Sequence, residues 1–154
     1  MSEKSADRIE AGILLRVPVA RVWRALTDAG EFGEWFGVKL AGAFVPGVAV
    51  KGTITEKGYE GLQFEITVER IEPRHLFSWR WHPYAVDTDV DYSAEPPTLV
   101  VCELEEVADG TVLKLVESGF DGIPAARRAE AHRMHVEGWA AQMKSIEKYL
   151  AQAA

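Results

Sequence analysis

A long amphipathic segment near the C-terminus constrains the fold of this chain more than any other feature. In residues 124–150 the apolar side chains recur at intervals of three and four positions, at Val136, Trp139, Met143, Ile146 and Leu150. This spacing places them on one face of an α-helix. Such a helix would be about 40 Å long, roughly the width of a small domain. It therefore needs a broad apolar surface to cover its stripe, and the rest of the chain should supply that surface.

Most of the preceding chain has the pattern of β-strands. Alternating apolar and polar residues predict strands at residues 9–17, 48–55, 62–68 and 75–81, and two more flank the Asp109-Gly110 dipeptide, a strong hairpin signal. Two short helices are predicted at residues 19–26 and 31–36, separated by a break at residues 28–30. The predicted fold is α+β, a helix-grip fold in which a curved antiparallel sheet wraps around the long C-terminal helix. We expect residues 1–154 to form a single domain.

Composition excludes several classes of protein. The formal net charge of -7 argues against nucleic-acid binding, which depends on clustered Lys and Arg. Cys102 is the only cysteine, so neither an internal disulfide nor a thiolate metal cluster can form. Residues 1–7 are polar and no stretch approaches 18 apolar residues, which predicts a cytoplasmic chain without membrane insertion. No phosphate-cradling loop, dinucleotide fingerprint or nucleophile elbow is present, so we expect no cofactor.

Glu117 is the most informative polar residue. Leu113 and Leu115 set the parity of the last strand, and Glu117 falls on the same inward face. An ionised carboxylate there is costly unless it is paired, hydrogen-bonded, hydrated or neutralised. Either a buried water or neighbouring side chain satisfies it structurally, or it orients a ligand or a proton. His135 would form an acid–base pair with Glu117 if the two were in contact.

Two metal sites are conceivable, and we expect neither. His132 and His135 lie one helical turn apart, but no third ligand accompanies them. Asp87, Asp89 and Asp91 resemble the start of a calcium loop within a predicted loop at residues 82–97. That loop lacks the glycine and the glutamate that such a site needs.

The aromatic side chains could form ordinary core or line a pocket. They stand at Trp35, Phe36, Phe64, Phe77, Trp79, Trp81 and Trp139. A concave sheet that meets a single helix leaves irregular gaps between rigid rings, so we expect some of them to line a cavity. Met143 is a plausible adaptable wall residue. Gly138 interrupts the long helix; close packing is its simplest explanation, and a local kink that admits a ligand is the alternative.

Four segments together resemble a known family. They are VWRALTDAGEFGEWFG, ERIEPRHLFSWRW, TLVVCELEEVADGTVLKLVESGF and GWAAQMKSIEKYL. In this order they resemble the activator of Hsp90 ATPase-like branch of the SRPBCC (START-related, polyketide-cyclase-like) superfamily, over about residues 9–150, and specifically its small bacterial members. The resemblance implies a cavity between sheet and long helix that, in relatives, holds a hydrophobic or amphipathic small molecule. Eukaryotic activators have an additional N-terminal chaperone-binding domain, whereas the first predicted strand here begins at Ile9, which argues against a chaperone partner.

The leading hypothesis is a non-enzymatic module that binds a hydrophobic or amphipathic small molecule between the sheet and the long helix. One alternative is a cofactor-free enzyme of the cyclase or hydrolase type that uses Glu117 and His135. Another is a chaperone-associated interaction domain, which predicts an exposed apolar patch instead of a cavity. Homodimerisation is compatible with each hypothesis. The candidate ligand-binding residues are Trp35, Phe64, Ile66, Phe77, Trp79, Trp81, Glu117, His135, Trp139 and Met143.

Overall fold

A curved antiparallel sheet forms the body of the protein. The computed structural model describes residues 8–57, 60–82 and 96–152. Within them the sheet has seven strands in the order β1-β7-β6-β5-β4-β3-β2. The strands are β1 (Arg8–Leu15), β2 (Val38–Leu40), β3 (Ala49–Ile54), β4 (Gln63–Glu72), β5 (Leu76–Trp81), β6 (Thr98–Val107) and β7 (Gly110–Ser118). Together with the helices, this sheet confirms the predicted α+β helix-grip fold.

In the described ranges three helices cover the sheet: α1 (Val19–Thr27), α2 (Ala29–Phe36) and α3 (Ala125–Gln152), with a short 3-10 turn, Phe120–Gly122, before α3. The break predicted between the first two helices is shorter than expected. Asp28 ends α1, and its carboxylate accepts a hydrogen bond from the Glu31 backbone N–H at 3.0 Å. Because one residue serves as the cap of both helices, α2 begins at Ala29.

The long helix α3 faces the sheet with a stripe that differs from the predicted one at its N-terminal end. Trp139, Met143, Ile146 and Leu150 are buried, as predicted. Val136 is not, because 45% of it is exposed to solvent. His135, four residues before Trp139, takes the inward position one helical turn earlier. Val136 is the next residue along the helix and therefore points outward.

Polar contacts attach α2 to α3. The last carbonyl groups of a helix have no partner within it. In α2 the Trp35 carbonyl accepts from Ser145 Oγ at 2.5 Å and the Phe36 carbonyl from Gln142 Nε2 at 3.0 Å. Nearby, the Tyr149 hydroxyl donates to the carboxylate of Glu31 at 2.8 Å. These bonds fix the end of α2, and with it the Phe36 side chain, against the sheet-facing side of α3.

Two further features depart from the sequence expectations. Strand β2 was not predicted, because three residues are too few to show an alternation. The hairpin between β6 and β7 turns at Ala108 and Asp109, since Val107 pairs with Gly110. Gly110 therefore belongs to β7, where its φ of 143° and the nearby Leu15 carbonyl oxygen exclude a side chain.

The close packing expected at Gly138 is wrong, because an added Cβ would find no atom within 4 Å. Asp87, Asp89 and Asp91 of the calcium-like sequence lie outside the described residues, as does most of the predicted loop at 82–97. Among the residues that the structure describes, no helix is both long and apolar enough to cross a membrane.

Candidate functional site

Glu117 lies on the inner face of the sheet with no part of it exposed to solvent. Strand β7 is enclosed between β1 and β6, and Glu117 pairs with Ile9 on one side and Val100 on the other. The alternation of β7 places its side chain beneath α3, beside the inward residues of β5 and β6. The next pair in that direction, Trp81 with Thr98, brings two polar side chains toward the same point.

Four side chains donate hydrogen bonds to the Glu117 carboxylate. Oε2 accepts from Trp81 Nε1 at 2.8 Å and from Thr98 Oγ1 at 2.6 Å. Oε1 accepts from Trp139 Nε1 at 2.8 Å and lies 2.7 Å from His135 Nδ1. The donors come from β5, β6 and α3, so this single carboxylate ties three strands to the long helix.

These contacts use the full acceptor capacity of the carboxylate. An ionised carboxylate has about four lone-pair sites, two on each oxygen. Each oxygen of Glu117 already receives two donors. In this arrangement Glu117 has no lone pair left with which to contact a ligand or remove a proton. Its chemical role is to orient the groups that surround it.

The environment of Glu117 keeps it ionised. Burial raises the pKa of the carboxyl group, but the hydrogen bond and charge of His135, with the hydrogen bonds from Thr98 and Trp81, outweigh that effect and hold the pKa below its usual range. Because the carboxylate accepts only, the facing nitrogen of His135, Nδ1, must carry the hydrogen. Glu117 thereby fixes the tautomer and the ring orientation of His135.

His135 reaches the surface of the site. Its side chain is 16% exposed, whereas that of Glu117 is completely buried. The imidazole packs edge-on against Trp81 and Phe120, with ring centroids 5.7 and 5.9 Å away. His135 is therefore the polar side chain of this group through which the buried carboxylate can influence a bound molecule.

An aromatic cluster surrounds the carboxylate. Trp81 and Trp139 stack with their rings 5.8 Å apart and 25° from parallel, and each points its N–H at Glu117. Phe36 contacts both of these rings and also Phe64. Trp81 and Phe36 are only partly buried. We call the group formed by Phe36, Phe64, Trp81, His135 and Trp139 the aromatic rim. Phe36, Trp81 and His135 are partly exposed, whereas Phe64 and Trp139 are buried.

The other candidate residues are buried in the core. Ile66, Phe77 and Trp79 are completely buried. Trp35 and Met143 are 4% and 5% exposed, and the Trp35 N–H donates to the Ala25 carbonyl at 2.8 Å. Among the candidate ligand-binding residues only Trp81 and His135 are partly exposed, and the structure brings both into contact with the buried Glu117, and Trp81 also with the buried Trp139.

Thr98 and Phe120 also belong to the site, although the sequence did not single them out. Thr98 shares the parity of Val100 and Cys102, so extending the β6 alternation by two residues would have placed it inward. Phe120 lies in the 3-10 turn, where no periodicity identifies a buried residue, and it packs against both His132 and His135.

His132 does not join the Glu117 group. Its Nε2 atom lies 3.2 Å from the carbonyl oxygen of Arg8, at the edge of the sheet. Within the described ranges, no three His, Cys, Asp or Glu side chains are arranged to hold a metal ion. A shallow groove of about 350 Å³ lies between α2 and β2, and none of the candidate ligand-binding residues lines it. Its walls are formed by Ala29, Gly30, Gly33, Glu34, Val38, Lys39, Leu40 and Thr55.

The fold is shared with solved structures of other proteins. Protein MLL2253 of Mesorhizobium loti has a TM-score of 0.75 and 22% identity, with 96% of this chain and 98% of that chain covered. Protein NE0264 of Nitrosomonas europaea has a TM-score of 0.74 and 18% identity, with 97% of each chain covered. DynU16, from the dynemicin biosynthetic locus, has a TM-score of 0.72 and 25% identity over 96% of this chain but only 48% of its own.

The sequence itself identifies the family. No curated protein matches the chain. The model of the family described as "Activator of Hsp90 ATPase homolog 1-like protein" matches residues 16–151, nearly the whole of the helix-grip fold described above. This chain therefore belongs to the Activator of Hsp90 ATPase homolog 1-like family, of the SRPBCC type, as the four sequence segments predicted.

Proposed function

We propose that this protein binds a hydrophobic or amphipathic small molecule between the sheet and α3, entering at the aromatic rim. The observation that carries the proposal is an ionised, fully buried carboxylate set inside an aromatic cluster. A buried ion pair is often less stabilising than apolar residues of the same volume. A few converging polar groups within an apolar aromatic wall are, however, the usual composition of a small-molecule site.

Each part of the group has a separate task in this proposal. The partly exposed rings of Trp81 and Phe36 offer flat apolar surface to the ligand. His135 offers the polar contact, with its ring held in place by the 2.7 Å contact to Glu117. Glu117 itself stays out of reach of the ligand because its lone pairs are occupied. This division of tasks suits a ligand that is mainly apolar and has one polar end.

Thermal unfolding with two probes tests the proposal. The probes are 9-fluorenone, a flat uncharged ketone, and lauric acid, a flexible amphipathic carboxylate. A ligand at 100 times its Kd stabilises the folded state by about 2.7 kcal/mol. For a chain of this length that corresponds to a rise in Tm of about 5–10 °C. We expect at least one probe to raise the Tm of the wild-type protein.

The matched variants are Trp81→Ala at the rim and Val136→Ala on the outer face of α3, where 45% of the valine is exposed. Each variant is compared with its own ligand-free melting curve. The increase should be lost in Trp81→Ala and kept in Val136→Ala. An unchanged wild-type Tm with both probes, or an increase that Trp81→Ala retains in full, would contradict the proposal.

The contact between Glu117 and His135 favours one second function, cofactor-free acid–base catalysis on the bound molecule. In that case His135 is the group that moves the proton. Glu117 orients the imidazole ring of His135 and stabilises the charged form of that ring. Mass spectrometry of each bound compound after incubation with the wild-type protein and with His135→Gln tests this function. A chemical change that depends on His135 supports catalysis, and unchanged compounds leave binding as the function.

Activation of a chaperone ATPase, the property in the family's name, is a rival interpretation. It would need an exposed apolar contact surface. The exposed large apolar side chains of the described residues are Val45, Val48, Val107 and Val136, and only the first two share a turn. An Hsp90 ATPase assay with and without the protein decides this point, and stimulation would favour the rival.

A further inference from the structure

The indole N–H of Trp79 is a buried donor for which the described residues provide no acceptor. Trp79 is completely buried on β5, and its Nε1 atom has no hydrogen-bond partner in the described part of the chain. Three other tryptophans of this core each have one. Trp35 donates to the Ala25 carbonyl, and Trp81 and Trp139 donate to Glu117, all at 2.8 Å. Trp79 therefore differs from the other three tryptophans in having an N–H group for which the described residues provide no acceptor.

The side chains that surround Trp79 explain why its N–H has no acceptor among the described residues. Its ring neighbours are Phe32, Phe77, Trp81 and Trp139, at centroid distances of 5.8, 5.4, 5.6 and 6.3 Å. These side chains offer only π faces, which are weak acceptors. The nearest carboxylate in the cluster, Glu117, already receives two donors on each oxygen.

A buried donor without a partner is costly, and such groups in native proteins require an explanation. The Trp79 ring contacts the rings of Trp81 and Trp139, two members of the aromatic rim. A molecule that enters at the rim and displaces some of this packing would contact the Trp79 ring. An oxygen atom of that molecule would supply the missing acceptor.

We infer that the Trp79 N–H anchors the ligand, and that the ligand therefore carries an uncharged oxygen acceptor, a carbonyl or an ether, on an apolar frame. An anionic acceptor is disfavoured because the site is buried and Glu117 is ionised nearby. This inference rests on the proposed function and narrows it: His135 contacts the polar end of the molecule near the surface, while Trp79 selects a second, neutral oxygen deeper inside.

Two compounds of nearly the same shape test the inference. Fluorene and 9-fluorenone share their ring frame, and only the ketone has an acceptor. Isothermal titration calorimetry gives the Kd of each compound, and the ratio of the two Kd values measures the preference for the ketone. The ratio is compared among the wild-type protein, Trp79→Phe and Trp23→Phe. Trp23 is a partly buried tryptophan of α1 and serves as the matched control, because it takes no part in the proposed site.

We expect the preference for the ketone to fall about 3- to 10-fold in Trp79→Phe, the range for loss of one neutral hydrogen bond, and to stay at the wild-type value in Trp23→Phe. Two-dimensional ¹H–¹⁵N spectra of the wild-type protein provide a second measurement if Trp79→Phe does not fold. The Trp79 indole proton should shift downfield with fluorenone and stay in place with fluorene.

The possible results distinguish failure of the Trp79 anchor from failure of the proposed binding function. An unchanged preference in Trp79→Phe, or a Trp79 indole signal that responds equally to both compounds, would overturn the anchor while binding at the rim stands. If neither compound binds the wild-type protein, and lauric acid also leaves its Tm unchanged, the proposed function and the anchor both fail.

Discussion

Replacing Glu117 by glutamine should destabilise the protein although the two side chains have nearly the same shape. An amide presents one oxygen, which accepts, and one NH2 group, which donates. Two of the four surrounding donors can adapt to this change. The Thr98 hydroxyl can rotate and accept a hydrogen bond, and His135 can accept after its proton moves to the other ring nitrogen.

The two indole groups cannot adapt in this way, because an indole nitrogen only donates. Trp81 and Trp139 donate to different oxygens of Glu117. Whichever way the amide of Glu117→Gln is turned, one indole N–H therefore faces its NH2 group. A buried donor left without a partner costs about 1–3 kcal/mol, and the bonds that remain lose their charge assistance. The neutral amide is easier to bury, which offsets part of this loss.

We expect Glu117→Gln to lower the free energy of unfolding by about 2 kcal/mol and the Tm by about 4–8 °C. Urea unfolding at pH 7 measures the free energy, with an unchanged m-value as evidence that the two states are the same. Glu106→Gln, on an exposed residue of β6, is the control and should stay within about 0.5 kcal/mol of the wild type. Equal stability of the two variants would refute the reasoning, and so would a Glu117→Gln protein more stable than the wild type.

Acid should remove the stability that ionised Glu117 provides. Its pKa is lower in the folded protein than the ordinary value of 4.5, so the contribution is complete above that value and declines as the pH falls through the folded pKa. The stability gap between wild type and Glu117→Gln should narrow in urea unfolding at pH 3, and a constant gap would contradict this. Gly138→Ala should raise the free energy of unfolding by about 0.5–1 kcal/mol, because the helix gains alanine and the new Cβ meets no atom within 4 Å. A loss of stability in urea would show that the exposed glycine is needed for the shape of α3. Gly110→Ala should cost more than the roughly 1–2 kcal/mol expected for Gly61→Ala, where φ is 87° and the space is open, because only Gly110 adjoins the Leu15 carbonyl. Urea midpoints compare the two variants, and equal losses would exclude the steric explanation.

The hairpin between β6 and β7 shows what local sequence signals can and cannot predict. Asp109-Gly110 correctly indicated that two strands meet at this point. A turn centred on that dipeptide, however, would place Glu117 opposite Cys102. The observed turn, one residue earlier, pairs Glu117 with Val100 instead and brings it within reach of Thr98. Alternation predicts which face a residue occupies, but the partner across the sheet depends on the turn geometry.

The long helix α3, on the other side of the site, shows the same limit of local sequence patterns. Its apolar spacing predicted the burial of Trp139, Met143, Ile146 and Leu150. The same spacing favoured Val136 over His135, because an imidazole does not count as apolar in such a pattern. The structure reverses this choice, since a carboxylate beneath the helix gives the imidazole a hydrogen-bonding partner. The rotation of the helix at that point depends on a residue 18 positions earlier in the chain.

The sequence by itself determined the element types, the curved antiparallel sheet, the long covering helix, the inward parity of Glu117 and the family. These properties follow from the periodicity of apolar residues and from the order of the four family-like segments, both of which are visible in short stretches of sequence. Only the tertiary structure decided that Trp81, Thr98, His135 and Trp139 all converge on Glu117 and that Trp79 has no acceptor among the described residues. The physical reason is that hydrogen bonds require contact within about 3 Å. Strand register and helix rotation set such distances between residues far apart in the chain, and no local pattern records either of them.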